Sequence, residues 1–301
     1  MSDSAPRHAY LIAAHDQPEL LKLLLRLLDD EANDLYLHID KKAASILEDD
    51  LRAAVKRARV TFVPRQNAVW GSEVFVDVII SLLREAAKTE HLFYHLLSGA
   101  DLPLKPQREI QAFFAAHAGE EFVAFDDETA DPSMLFSRLG RYNLPPACNA
   151  LGGGARKRLL RVYSGAQKLL GVRRKAYRAQ TFQKGAVWFS ITHACALYAL
   201  EHAPEYRRYY RFSTCADELW LQTVLLHSPF MQKRHYAGFG DELAATLRYV
   251  DWAGGNSPRT LTMDDYAPML SSGALFARKF SYDRFPDVVN RVAEDARETS
   301  N

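Results

Sequence analysis

Two adjacent carboxylates, Asp217 and Glu218, stand just ahead of an apolar run in "STCADELWLQTVLLHSPF" (213–230). A carboxylate placed against a reacting hydroxyl takes its proton as a general base, and one such group is enough. The pair also has a purely conformational reading. Thr214 followed three residues later by Asp217 has the form of a capping box, and acids favour the positive end of a helix. His91 and His95 offer a different chemistry, because a spacing of four puts two imidazoles on one face of a helix or strand. "HLFYHLL" lacks the glutamate of the zinc motif H-E-x-x-H, so the two read as rim or core histidines.

These residues need elements to position them. "HAYLIAAH" (8–15), "DLYLHID" (34–40), "RVTFV" (59–63) and "HLFYHLLSG" (91–99) read as strands. Between them lie helical patterns over 17–30, 43–58 and 71–88, the first with Leu20, Leu23, Leu24, Leu27 and Leu28 on one face. Strand alternating with helix predicts an α/β fold with a mostly parallel central sheet flanked by helices. Ligands of such sheets bind beyond the carboxyl ends of the strands. That places His15-Asp16, Asp40-Lys41-Lys42, Pro64-Arg65 and Ser98-Gly99-Ala100-Asp101 on the rim. Further on, "GAVWFSI" (185–191) reads as a strand and "THACALYALEHA" (192–203) as a helix.

Composition narrows the function. The chain has 301 residues, 48% of them apolar, and a net charge of +1, so no global charge draws it to nucleic acid. Three cysteines without a C-x-x-C pair suggest a reducing compartment, and the N-terminus has no apolar signal core. The expectation is a soluble intracellular protein. No G-x-x-x-x-G-K-[ST], G-x-G-x-x-G after the first strand, or G-x-S-x-G occurs, which argues against P-loop, dinucleotide and serine-hydrolase chemistry. No two aspartates are separated by one residue. Many nucleotide-sugar transferases hold a metal on the diphosphate with D-x-D, so here another group must neutralise such a charge.

"VWGS" (69–72), "LLSGADLPLK" (96–105), "ADELWLQTVLLHS" (216–228), "YVDWAGGNSPRTL" (249–261) and "LFARKF" (275–280) together resemble the Core-2/I-branching enzyme family. That family includes branching β-1,6-N-acetylglucosaminyltransferases and peptide O-xylosyltransferases. The motifs keep family order over about residues 9–281, and the "VDW…SP…FARKF" ending looks closer to the xylosyltransferase branch. The resemblance implies a GT-A type fold in one domain, with a donor-binding half over about 8–125 and an acceptor and catalytic half over about 126–301. It also implies UDP-xylose or UDP-N-acetylglucosamine as donor, inversion at the anomeric carbon, and neither divalent metal nor any cofactor beyond the donor.

Residue by residue, Glu218 matches the family's catalytic base, leaving Asp217 as a cap beside the acceptor. Arg278 and Lys279 match its diphosphate-binding pair, against the alternative of a solvated basic pair. Asp40 matches a nucleoside-contacting acid or is a strand-end turn residue. Trp70 lines the donor sugar or packs in the core. Ser98, Gly99 and Asp101 lie where a D-x-D would sit, with Gly99 serving close ligand approach or a tight turn. Trp252 matches an acceptor-side aromatic. Ala186 stands where the family more often has serine, which leaves the donor sugar open. The luminal disulfides and membrane stem of eukaryotic members are missing, consistent with a bacterial-type cytoplasmic enzyme building a surface glycan on a glycan, glycolipid or peptide hydroxyl. The alternative is a nucleotide-sugar or carbohydrate-binding protein without catalysis.

Residues 132–200 contain no acid and twelve Lys or Arg. Read as a helix, 155–177 puts Leu159, Val162, Tyr163, Ala166, Leu169 and Leu170 on one face, with Arg156, Arg158, Arg161, Lys168 and Lys175 on flanks and back. Packing of that face on the domain is the slightly favoured reading. The other is contact of 155–178 with an anionic membrane at its inner face.

Overall fold

The computed structural model describes residues 7–69, 71–143, 153–174, 177, 181–255 and 257–297. The amino-terminal half runs β1 (His8–Ala14), α1 (Pro18–Leu27), β2 (Asn33–Ile39), α2 (Glu48–Ala53), β3 (Arg59–Phe62), α3 (Val74–Ala86), β4 (Phe93–Ser98), β5 (Leu102–Pro103) and α4 (Gln107–Ala116). It continues through α5 (Pro132–Leu139), α6 (Gly153–Leu169), β6 (Ser190–Thr192), α7 (His193–Tyr210), α8 (Trp220–Leu226), α9 (Glu242–Thr246), β7 (Arg248–Val250), α10 (Tyr266–Ser271), β8 (Phe276–Arg278) and α11 (Pro286–Asp295). The central sheet has strand order β3-β2-β1-β4-β6, parallel except for β6, which runs against β4. A second sheet has order β5-β8-β7. The mostly parallel α/β arrangement is thus the expected one.

Both faces of the central sheet are buried at β1, β2 and β4, which is why these strands carry short apolar runs. Along β1, Ala9, Leu11 and Ala13 enter a core shared with α3, α7 and α8. Tyr10, Ile12 and Ala14 enter the opposite core, built with α1 and α11. Pro18 at the first turn of α1 starts a helix that buries Leu20, Leu21, Leu23, Leu24, Leu25 and Leu27.

Three expectations need correction. The helix expected over 43–58 is only Glu48–Ala53. The Asp40 carboxylate and carbonyl take the N–H groups of Lys42 and Ala43 at its start, and the Asp29 carboxylate takes those of Lys56, Arg57 and Ala58 at its end. Of "GAVWFSI", only its last two residues enter β6, because Gly185 and Ala186 bond the segment carrying Glu218. The helix from 192 onward runs as far as Tyr210, through Pro204.

His91 and His95 join separate networks. His91 Nε2 lies 2.9 Å from Asp34, and His95 lies 2.8 Å from Ser190 Oγ and 3.0 Å from His8. Burial keeps His95 well below the ordinary imidazole range and takes His8 down to about 4. Among the described residues no helix is long and apolar enough to cross a membrane.

Candidate active site

At the carboxyl end of β4 the chain makes a tight turn into β5. Asp101 closes it, accepting from Ser98 N at 2.9 Å and Ser98 Oγ at 2.6 Å. A Cβ on Gly99 would sit 2.8 Å from that of Ala14, so this glycine serves the approach of β4 to β1 rather than of a ligand. Because β5 pairs with β8, with Leu102 opposite Ala277, the turn is brought against Arg278. Arg278 Nε lies 3.5 Å from Asp101, and the guanidinium stacks on the Trp188 ring at 3.9 Å from its centroid. Burial pulls the Arg278 pKa down, opposed by Asp101 and Glu242. Its Nε is buried without a hydrogen-bond partner, and among the described residues the guanidinium donates no hydrogen bond. A buried cation with unspent donors is arranged for an anion. Lys279 follows; its carbonyl accepts from Leu261 N at 2.9 Å, and its ammonium makes no ion pair among the described residues.

β7 completes this wall. Val250 is level with Arg278 in the sheet, and Trp252 lies two residues beyond, 46% exposed. Trp252 Nε1 donates to Glu242 Oε2 at 2.9 Å. Glu242, buried first of all by the fold around it, has its pKa raised, with Trp252 and Arg278 opposing and Asp126 adding to the rise. Arg259 staples the motif loop by pairing with Asp251 and Asp265, each at 2.5 Å.

Glu218 sits on a 3-10 turn, Ala216–Glu218, that leads into α8. The turn is held from several sides: Cys215 N donates to Gly71 O at 2.9 Å, and Gly185 N to Glu218 O at 3.0 Å. Gly185 is required there, since a Cβ would stand 1.9 Å from the Ala124 carbonyl oxygen. The Glu218 side chain remains 31% exposed. Its Oε2 accepts from Arg138 Nη1 at 2.6 Å and lies 3.6 Å from Lys184 Nζ, which also pairs with Asp126. Oε1 has no hydrogen-bond partner among the described residues.

The capping box expected of Thr214 and Asp217 does not form. The turn's cap is Cys215, with no side-chain capping bond, because Cys215 adopts a left-handed φ of 50° and shifts the register by one residue. Asp217 is held inside the turn, and burial, together with the Glu218 charge, raises its pKa to about 7.

Asp40 lies at the end of β2, two strands from β4, about 10 Å across the sheet. Its carboxylate oxygens accept from Lys42 N and Ala68 N at 2.8 and 2.9 Å, strapping the 66–68 segment to the sheet. The turn role is therefore satisfied by this chain's own backbone. Trp70 lies outside the described residues; its neighbour Gly71 contacts the Glu218 turn through Cys215. Ala186 contributes its carbonyl, which accepts from Gln222 at 2.7 Å. A cavity of about 560 Å³ lies elsewhere, lined by Glu73, Asp77, Tyr206, Arg207 and Trp220 among others, and none of the residues above borders it.

Two groups thus form: Ser98, Asp101, Arg278, Glu242 and Trp252 around the β4–β5 turn and the second sheet, and Glu218, Arg138, Lys184 and Asp126 around the 3-10 turn. The Asp126 charge felt at Glu242 links them. A model of the family described as Core-2/I-Branching enzyme matches residues 8–271. The chain belongs to the Core-2/I-branching enzyme family. Xylosyltransferase 2 of Rattus norvegicus and of Homo sapiens are each 22% identical to it over 293 residues, covering 91% of this chain and 32% of theirs. The chain therefore spans about a third of the length of these curated relatives. The crystal structure of mouse xyloside xylosyltransferase 1, apo form, aligns with 89% of this chain and 96% of that one, at 10% identity and a TM-score of 0.30, too low to place any residue.

The family is one of glycosyltransferases, and its similarity to xylosyltransferases agrees with the ending of the motif series. Sequence reasoning missed four residues that the structure groups with the candidate site: Arg138, Lys184, Glu242 and Trp188. Arg138 and Lys184 were visible only as members of the acid-free basic span, and Glu242 only as a first-turn acid in "DELAAT".

Proposed function

We propose that the chain is a metal-independent, inverting glycosyltransferase that moves xylose or N-acetylglucosamine from a UDP-sugar to a hydroxyl acceptor. The observation that carries this reading is the Arg278 guanidinium beside the β4–β5 turn, whose buried Nε has no hydrogen-bond partner, together with a partly exposed Glu218 whose Oε1 has none among the described residues. In the proposed step the acceptor oxygen attacks the anomeric carbon and its proton passes to Glu218 Oε1. The bond from that carbon to the diphosphate breaks, and its electron pair goes to the departing UDP. Arg278 and Lys279 hold the charge that develops there, as fixed donors in a dry site do at little reorganisation cost. Arg138 and Lys184 fix the orientation of Glu218 through Oε2 and leave Oε1 for the acceptor. Asp217 and Trp252 border the acceptor, with the indole face suited to a sugar ring. Ser98 and Asp101 form the floor under the diphosphate. Asp40 contacts the nucleoside from the end of β2.

A donor screen for UDP release, paired with thermal stabilisation by each UDP-sugar, tests the reading. Release from UDP-xylose or UDP-N-acetylglucosamine is expected. Stabilisation without release from any donor, at any acceptor tried, would assign a binding protein instead.

The acceptor is proposed to sit at an anionic membrane surface on the cytoplasmic side. α6 leaves Val162 at 64% exposure, Leu169 at 88% and the following Leu170 at 76%, so the packed-face reading fails at these positions. Among the described side chains of the helix only Gln167 is buried, bonded to the backbone of Tyr142. Arg158, Arg161 and Lys168 flank the exposed leucines, and each contributes about 1 kcal/mol near anionic lipid. Arg174 does not belong to this face, because it is buried against the carbonyls of Tyr209 and Arg211. Lys175 and Arg178 lie outside the described residues. Sedimentation with anionic vesicles should fade with salt and with Arg158, Arg161 and Lys168 changed to Glu; equal recovery with neutral vesicles would rule this out.

A further inference from the structure

A second group of side chains with ligand chemistry gathers toward the opposite end of the sheet. His117 ends α4, Glu120 follows it, and His235 lies just past the 3-10 turn Pro229–Lys233. One ligand atom from each lies within 4.8 Å of the others. The backbone brings them together: Glu121 N donates to Lys233 O at 2.8 Å, and His235 N to Glu121 O at 3.0 Å.

The imidazoles are oriented in advance. His117 Nδ1 donates to Phe113 O at 2.8 Å, which leaves the lone pair on Nε2, and its ring stacks on Phe113 at 4.1 Å. A histidine whose other nitrogen is fixed by a carbonyl is the usual state of a metal ligand. The His235 ring stacks on Phe122 at 4.4 Å, and its Nδ1 lies 2.6 Å from Glu120 Oε2. Glu120 is 42% exposed, so one side of the group is open to water.

We propose that His117, Glu120 and His235 form a zinc site with water in the fourth position. Two imidazoles and one carboxylate are a ligand set that zinc takes readily, and moving the His235 proton to Nε2 frees Nδ1 to bind the ion in place of the hydrogen bond. The site joins the end of α4 to the segment after Lys233. It is remote from the chemistry above. Glu121 binds Thr192, which pairs with Phe93 at the start of β4, whereas Ser98 is five residues on, roughly 16 Å along the strand. The ion therefore acts as a structural clip, independent of the sugar-transfer reading.

The test uses tag-free protein stripped with EDTA, dialysed against zinc and assayed for bound metal and melting temperature. One equivalent should be retained, with a melting temperature higher by about 5 °C at zinc well above Kd. Glu120→Gln, at a half-exposed position that leaves folding intact, should bind at least ~10-fold more weakly, and His117→Gln with His235→Ala should abolish the retained equivalent. UDP release by these variants should match that of the unchanged protein. Zinc retention in the double variant equal to that of the unchanged protein, or no retention by either, would overturn the assignment. The metal assay needs no donor, so it stands or falls apart from the transferase reading.

Discussion

The two sides of the candidate site are built differently. Arg278 rides on β8, between β5 and β7, and is buried between Asp101 and Trp188. Glu218 rides on a 3-10 turn with a left-handed residue before it, held by Gly71, Gly185 and Arg138 through hydrogen bonds rather than by a sheet. The difference suits the two proposed tasks. Holding a diphosphate needs fixed cations out of water, whereas a base that meets an incoming hydroxyl needs an exposed edge.

The largest expected effect breaks the turn side alone. Glu218→Gln should lower turnover at least ~100-fold while UDP binding and folding stay near the unchanged protein, measured by UDP release and calorimetry. On the strand side, Arg278→Ala should weaken UDP binding by about 10- to 100-fold, and uridine binding much less. Arg278→Lys should recover little of it, because an ammonium lacks both the fork and the stack on Trp188. Arg138→Ala should cost turnover about fivefold with little change in KM, the size expected of a partly exposed ion pair that only orients the base.

The smallest effect concerns Asp217 and appears as pH dependence. Its folded pKa of about 7 stands above the ordinary 3.8, so between those values the native state keeps a proton that the unfolded chain releases. The stability this contributes is complete below about 3.8 and is lost as pH rises through about 7. Asp217→Asn carries no such proton. Its stability relative to the unchanged protein should therefore rise across that window, in urea melts. A parallel pH profile for both proteins would contradict the buried environment assigned to this side chain.

The same contrast explains what could be read in the sequence. The four parallel strands of the central sheet lie within two residues of their expected bounds, because their apolar residues cluster in short runs, whereas β6 does not. Arg278 and Glu218 were reachable through the motifs that surround them. The turn's register was not, since a left-handed Cys215 depends on a carbonyl from residue 71 far away in the chain. Helix α2 came out short for a similar reason: two aspartates outside it claim N–H groups at the two ends of the expected 43–58 stretch. Arg138, Lys184 and Arg174 belong to the acid-free basic span, yet each turns inward to a partner distant in sequence. Charge composition cannot tell a solvated arginine from one that holds a catalytic carboxylate or a pair of carbonyls.

The central claim is that Glu218 directs an in-line displacement while Arg278 and Lys279, without a metal, receive the leaving diphosphate. Early-time proton NMR of the sugar released from the active α-linked UDP-sugar, in EDTA and before mutarotation, tests it without knowledge of the acceptor. The β anomer should appear first from the unchanged protein and be at least ~100-fold slower from Glu218→Gln. The α anomer appearing first, or release that depends strictly on an added divalent ion, would contradict the account.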